Sequence, residues 1–184
     1  MVDDIVSLLD LVQQHVGSSE IQQISQQIGA DPATTEAAVQ AALPMIVGGM
    51  ANTAQQPGGA SAIQQAMGSH GGMLGNLGAM LGAAGLGDSG GLLGKVLGGH
   101  QTTVQQGVSQ ASGLDPDKTR QLLMVLAPIV MAALAKRHGN ASHEEIGGAL
   151  QQEAQAAQDH AQRTSPQLGG LLGKILSHVQ TPRT

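Results

Sequence analysis

Phenylalanine, tyrosine, tryptophan and cysteine are all absent from the 184-residue chain. Without aromatic rings, a core must be assembled from Leu, Ile, Val, Met and Ala, side chains that suit thin, closely approaching helices, while strands lose their aromatic formers. The lack of cysteine excludes disulfides, iron–sulfur ligation and thiol catalysis together, and leaves the redox compartment open. Charge is also scarce, with 8 Lys and Arg against 13 Asp and Glu for a net −5. The cations are scattered rather than gathered in a stripe, and nucleic-acid binding needs clustered cations or aromatic stacking platforms. No nucleic-acid partner is expected. The first ten residues, MVDDIVSLLD, are acidic where a secretory signal carries a basic region, so a mature, cytoplasmic protein is expected. The longest uncharged apolar run, Leu122 to Ala135, is shorter than the roughly 20 residues that span a bilayer and is expected to be a buried core helix.

What is present favours helices. Hydrophobic residues make up 41% of the chain, enough for a real core, and Ala, Leu and Gln, all good helix formers, are abundant. A first helix is predicted from about Asp3 to Val16, with Ile5, Leu8, Leu9, Val12 and Val16 on one face and Gly17 as its stop. Ser18 or Ser19 then caps a short helix through Ile21, Ile24 and Ile28, closed by Gly29. Asp31-Pro32 opens a third, as an N-cap followed by proline at the first helical position.

This grammar returns 84 positions later, where Gly113, Asp115 and Pro116 match Gly29, Asp31 and Pro32. Thr35 then meets Thr119, Pro44 meets Pro128, and Ala51 meets Ala135. An interior proline removes a backbone hydrogen bond and bends a helix at a cost of about 3 kcal/mol, so its recurrence points to duplication. Small residues follow each proline, Gly48-Gly49 and Ala132-Ala133, and admit a neighbouring backbone at close range. Ser142 and Glu145 have capping-box spacing and open a polar helix to about Gln162, with a shorter counterpart from Ala60 to Gly68. The octet GGLLGKVL at Gly90 to Leu97 recurs as GGLLGKIL at Gly169 to Leu176 and is read as the closing helix of each copy. Leu92, Leu93, Val96 and Leu97 fall on one face, as do Leu171, Leu172, Ile175 and Leu176, with Lys95 and Lys174 opposite. The expected fold is all-α: two tandem similar repeats of about 80 residues, each with a Pro-kinked central helix, joined by a Gly-rich linker. The division falls at 1–99 and 100–184, with short helical pieces around Leu74 to Leu81 and a mobile link from Gly82 to Gly91.

The stretches QQIGADPATTEAAVQAALPMIVGGMA and SGLDPDKTRQLLMVLAPIVMAALA, each followed by Gly-Leu segments, resemble the bacterial family catalogued as domain of unknown function 937, which includes YidB-like proteins. The resemblance implies a cytoplasmic bacterial helical protein with no established activity and supplies no catalytic residues.

Motifs with chemical meaning fail on context. Gly85-Leu-Gly87-Asp-Ser-Gly90 spells a dinucleotide fingerprint, but no strand precedes it. Around Lys95 a phosphate loop is contradicted by Ser89 at the first glycine position and Val96 at the hydroxyl position. Among seven histidines the densest group is His138 with His143-Glu144-Glu145, and Gly147 stands where a zinc peptidase carries its second histidine. His15, His70, His100 and His178 lie at helix ends or glycine turns, where an imidazole needs no special role. No nucleophile elbow or spaced triad exists. The chain is therefore expected to be no enzyme, with no cofactor, metal or catalytic residue.

The apolar helix faces remain. The expected function is a non-enzymatic helical scaffold or interaction protein that associates with itself or binds a protein partner. Its interaction residues are Leu92, Leu93, Val96, Leu97, Leu171, Leu172, Ile175 and Leu176. Burial within their own repeat is the structural alternative for these residues. A second functional expectation is peripheral membrane-surface binding, with both octets as short amphipathic helices and lysine toward headgroups.

Overall fold

A computed structural model describes residues 8–76, 79, 89–164, 166, 170, 173 and 174. Its helices are α1 (Leu8–His15), α2 (Ser18–Ile28), α3 (Pro32–Gln55), α4 (Gly59–His70), α5 (Ser89–Leu97), α6 (Gln101–Ser112), α7 (Pro116–His138) and α8 (His143–Thr164). Short 3₁₀ turns lie at Met73–Asn76 and Gly98–His100. No strand occurs among the described residues, so the all-helical expectation holds.

Local chemistry sets the boundaries. Gly29 and Gly113 close α2 and α6 in the left-handed region at φ 66° and 72°, and each donates its N–H back into the last turn. Asp31 caps α3 by accepting from the backbone N–H of Ala33 (3.1 Å) and Thr34 (3.4 Å), whereas Asp115 makes no side-chain cap bond on α7. Thr35 and Thr119 are fully buried, and each hydroxyl donates to the backbone carbonyl of the capping aspartate, at 2.8 and 2.9 Å. The start of α2 differs from expectation. Gly17 is its N-cap, and the Gly17 N–H donates to the Glu20 carboxylate at 3.0 Å, which replaces a serine cap. Ser142 and Glu145 do form the reciprocal capping pair before α8. Residues 1–7 lie outside the described residues, and with them the predicted first part of the first helix, from Asp3 through Ile5 to Ser7. So does most of the expected link, where α5 already begins at Ser89.

The two proline-bearing helices form the centre. Ala41 to Thr53 of α3 are buried without a break, as are Val125 to Leu134 of α7. A helix apolar all round must be enclosed, and the others provide the cover. α8 and α6 lie along α3, α4 lies chiefly along α7, α1 rests on α7, and α5 is held by α7, α3 and α4. Helices from both sides of residue 99 thus share one hydrophobic cluster. Each fully buried Leu, Ile or Val adds about 1.5–3 kcal/mol relative to exposure, which is how a ring-free core holds together. Both helices run through their prolines, Pro44 and Pro128. The carbonyls deprived of a partner belong to Gln40 and Met124, at exposed and half-buried positions.

By length and composition α7 could cross a membrane, but 72% of that stretch is buried among the other helices. The apolar run from Leu122 is part of a buried core helix, as expected.

Candidate interaction site

The first octet is α5. Its stripe points inward: Leu93, Val96 and Leu97 are fully buried, Leu92 is half-buried, and Lys95 is exposed on the opposite side. The close approach expected after Pro44 occurs here. A Cβ built on Gly49 would stand 2.6 Å from Leu97 Cδ2, so glycine lets α5 sit against α3. Just beyond, the His100 ring nitrogen Nε2 donates to the side-chain oxygen of buried Asn52 at 3.0 Å and pins the turn after α5 to α3. Sequence reading assigned His100 no role. Its only signal was a polar Asn52 inside an otherwise apolar run.

α1 is placed in a related way. Leu8, Leu9 and Val12 are buried on the α7 side. The Leu8 N–H donates to Glu153 of α8 at 3.0 Å. Glu153 is 8% exposed, and its other oxygen pairs with Arg137 of α7 at 2.8 Å. One buried carboxylate in the middle of α8 therefore ties together α1 and the last turn of α7, a link that sequence spacing gave no way to anticipate.

The second octet falls largely outside the described residues: Leu171, Leu172, Ile175 and Leu176 are among those not described. Gly170, Gly173 and Lys174 are described and helical, Gly170 and Lys174 being exposed. A Cβ at Gly173 would lie 3.4 Å from Gln158 Nε2, so Gly173 sits beside α8.

Several histidines and carboxylates make local bonds. The Nδ1 atoms of His15 and His70 lie 2.9 and 2.8 Å from the Leu11 and Ala66 carbonyls. Hydrogen bonds from the Ser142 N–H and hydroxyl hold the exposed Glu145 carboxyl below its ordinary value. Glu20 is lowered likewise, by its own backbone bond first, then by Ser19 and Gly17. His138 lies in an open cleft of about 720 Å³ between the end of α7 and the start of α8. Burial pushes its imidazole below the ordinary 6.5, Arg137 pushes the same way, and Glu153 opposes them. Its Nε2 finds no partner among the described residues. No three His, Asp or Glu side chains converge as a metal set among the described residues, so His143, Glu144 and Glu145 stay apart from a common centre.

The architecture is that of an all-α protein with two buried proline-bearing helices opened by Asp-Pro. The chain belongs to the family described as Bacterial protein of unknown function (DUF937), whose model matches residues 10–137, from α1 to the end of α7. No curated protein and no solved structure matches it.

Proposed function

We propose that the chain is a non-enzymatic helical scaffold that associates with itself or another protein through apolar helix faces, and that it is built from two tandem copies of one four-helix unit. Support for the copies comes from helix bounds. The openings of α2, α3 and α4 at 18, 32 and 59 are answered by α6, α7 and α8 at 101, 116 and 143, offsets of 83 or 84. In that register α1 pairs with α5, with Leu8, Leu9 and Val12 answering Leu92, Leu93 and Val96. The first octet then opens the second copy rather than closing the first. In sequence the second octet then follows the second copy as an extra segment.

One observation carries the interaction reading. Leu93, Val96 and Leu97 of the first octet's stripe are fully buried, and the chain carries a near-identical stripe in sequence at Leu171, Leu172, Ile175 and Leu176. A surface made to fill a groove, when it is duplicated in one chain, favours association. Because Leu93, Val96 and Leu97 sit in the core, their contribution is to folding, and the interaction residues reduce to those of the second octet. The same burial confines the membrane-surface reading to that octet, and co-sedimentation with anionic vesicles tests it. The non-enzymatic reading is supported by the local employment of Glu20, Asp31, Glu145, His15 and His70.

Light scattering over about a hundredfold dilution tests the scaffold reading. The expected mass exceeds the 18.6 kDa of one chain and falls toward it on dilution. A mass of one chain throughout, with no protein captured by the second octet, would refute it.

A further inference from the structure

We infer that the groove between the α1–α2 corner and α3 is a binding pocket for a small aliphatic ammonium ion, with Glu36 as its counter-charge. The groove has a volume of about 440 Å³, within the range of small-molecule sites. Its apolar lining comes from three places in the chain: Val16 after α1, Ile21 of α2 and Val39 of α3, all almost wholly buried. Glu36 and Gln40 stand one turn apart on the α3 wall. Glu36 is the one charged residue among the described lining residues, and no Lys, Arg or His joins it there. The Gln40 carbonyl is a further acceptor without its helical donor, because Pro44 has no N–H to give it. A positively charged donor on a methylene body matches this set.

The fold itself does not employ Glu36 among the described residues. It lies beyond the first turn of α3, out of range of the helix dipole, and takes no part in a cap or an ion pair. At the matching positions of α7, 84 residues on, Arg120 and Met124 replace Glu36 and Gln40, so the helix architecture does not require this polar pair. Leu97 likewise replaces Gln13 of the groove and is fully buried, in an α5 that rests on α7 of its own half. α1 rests chiefly on α7 and not on α3 of its own half, which leaves the groove open. Its walls are fixed in advance. The Gly17 N–H is held by Glu20 and the Ile21 N–H by the Gly17 carbonyl, each at 3.0 Å. Lys118, which reaches toward α2 from α7, is bound to the Gly29 carbonyl beyond the far end of that helix. A preorganised groove with a methyl floor and one free carboxylate selects a cation with an aliphatic body over an anion of the same length.

The test is a titration of butylammonium chloride into the full-length chain, followed by NMR of labelled Val and Ile methyl groups. Saturable shifts are expected at Val16, Ile21 and Val39 at millimolar ligand. Each methylene added from methylammonium to butylammonium should tighten binding about two- to fourfold. Butyrate, of similar length and opposite charge, should leave these methyls unmoved. Glu36 is exposed, so its variants are expected to fold, which their thermal melts check. Glu36→Gln should weaken binding about three- to tenfold, and Glu36→Arg, the residue type at the matching position of α7, should abolish it. Equal shifts from butyrate, shifts that survive Glu36→Arg, or no saturable shift by about 100 mM butylammonium overturn the pocket. This inference stands apart from the scaffold reading: a chain that stays single in light scattering still binds the cation.

Discussion

Single residues carry the clearest asymmetry between the matched halves. Asp31 caps α3 with two bonds from its carboxylate, while Asp115 at the matching position uses none. Asp31→Ala should therefore cost about 1 kcal/mol and Asp115→Ala only a few tenths, measured by urea denaturation. The Asp-Pro pair was legible in the sequence because it encodes a local event. Which aspartate bonds was not, because that depends on a side-chain rotamer. The His138 imidazole, held below 6.5 by burial, makes a pH prediction. The unfolded chain takes up a proton near 6.5 that the folded chain resists. This site therefore favours folding fully above that pH and loses ground as pH falls from 6.5 toward the depressed folded value. His138→Asn should flatten the thermal-stability profile over that window, and an unchanged slope would show that the imidazole is not held neutral. Glu20 and Glu145 act lower. Their depressed values mean that their stabilisation is present above the ordinary 4.5 and fades as acid titrates through the folded values.

At the scale of helices, the order and the proline-bearing pair were readable from period and punctuation. The partners of each helix were not. Sequence alternation shows that α8 has an apolar edge, with Ile146, Leu150 and Ala157 buried, but nothing in it says that the edge meets α3 of the other half. The octet shows the same limit: its stripe was visible, and the helices that bury it, α7, α3 and α4, were not. The α5 seat is tight, so adding or removing a carbon should be felt. Gly49→Ala drives a methyl toward Leu97, itself fully buried, and is expected to cost about 1–3 kcal/mol. Leu93→Ala leaves a void and is expected to cost about 2–5 kcal/mol. Both are checked by denaturant midpoints at constant slope. If Leu93→Ala proved neutral while self-association was lost, α5 would be an external docking helix and not part of the core.

For the whole molecule, the halves do not stand side by side as closed units. Helices of each cover the proline-bearing helix of the other, and the described core is one cluster, so unfolding should follow a single transition in which far-UV signal and calorimetric heat agree. The absence of Phe, Tyr and Trp and the low charge, apparent from composition alone, leave methyl surfaces as the chief means by which these helices pack. The central claim is that the C-terminal stripe joins chains without holding the fold. Sedimentation velocity of the wild type against the Leu171→Asp and Leu172→Asp double variant tests it most directly. The account predicts a concentration-dependent shift to larger species in the wild type and a well-folded species of one chain in the variant. Equal sedimentation of the two at every concentration would contradict it.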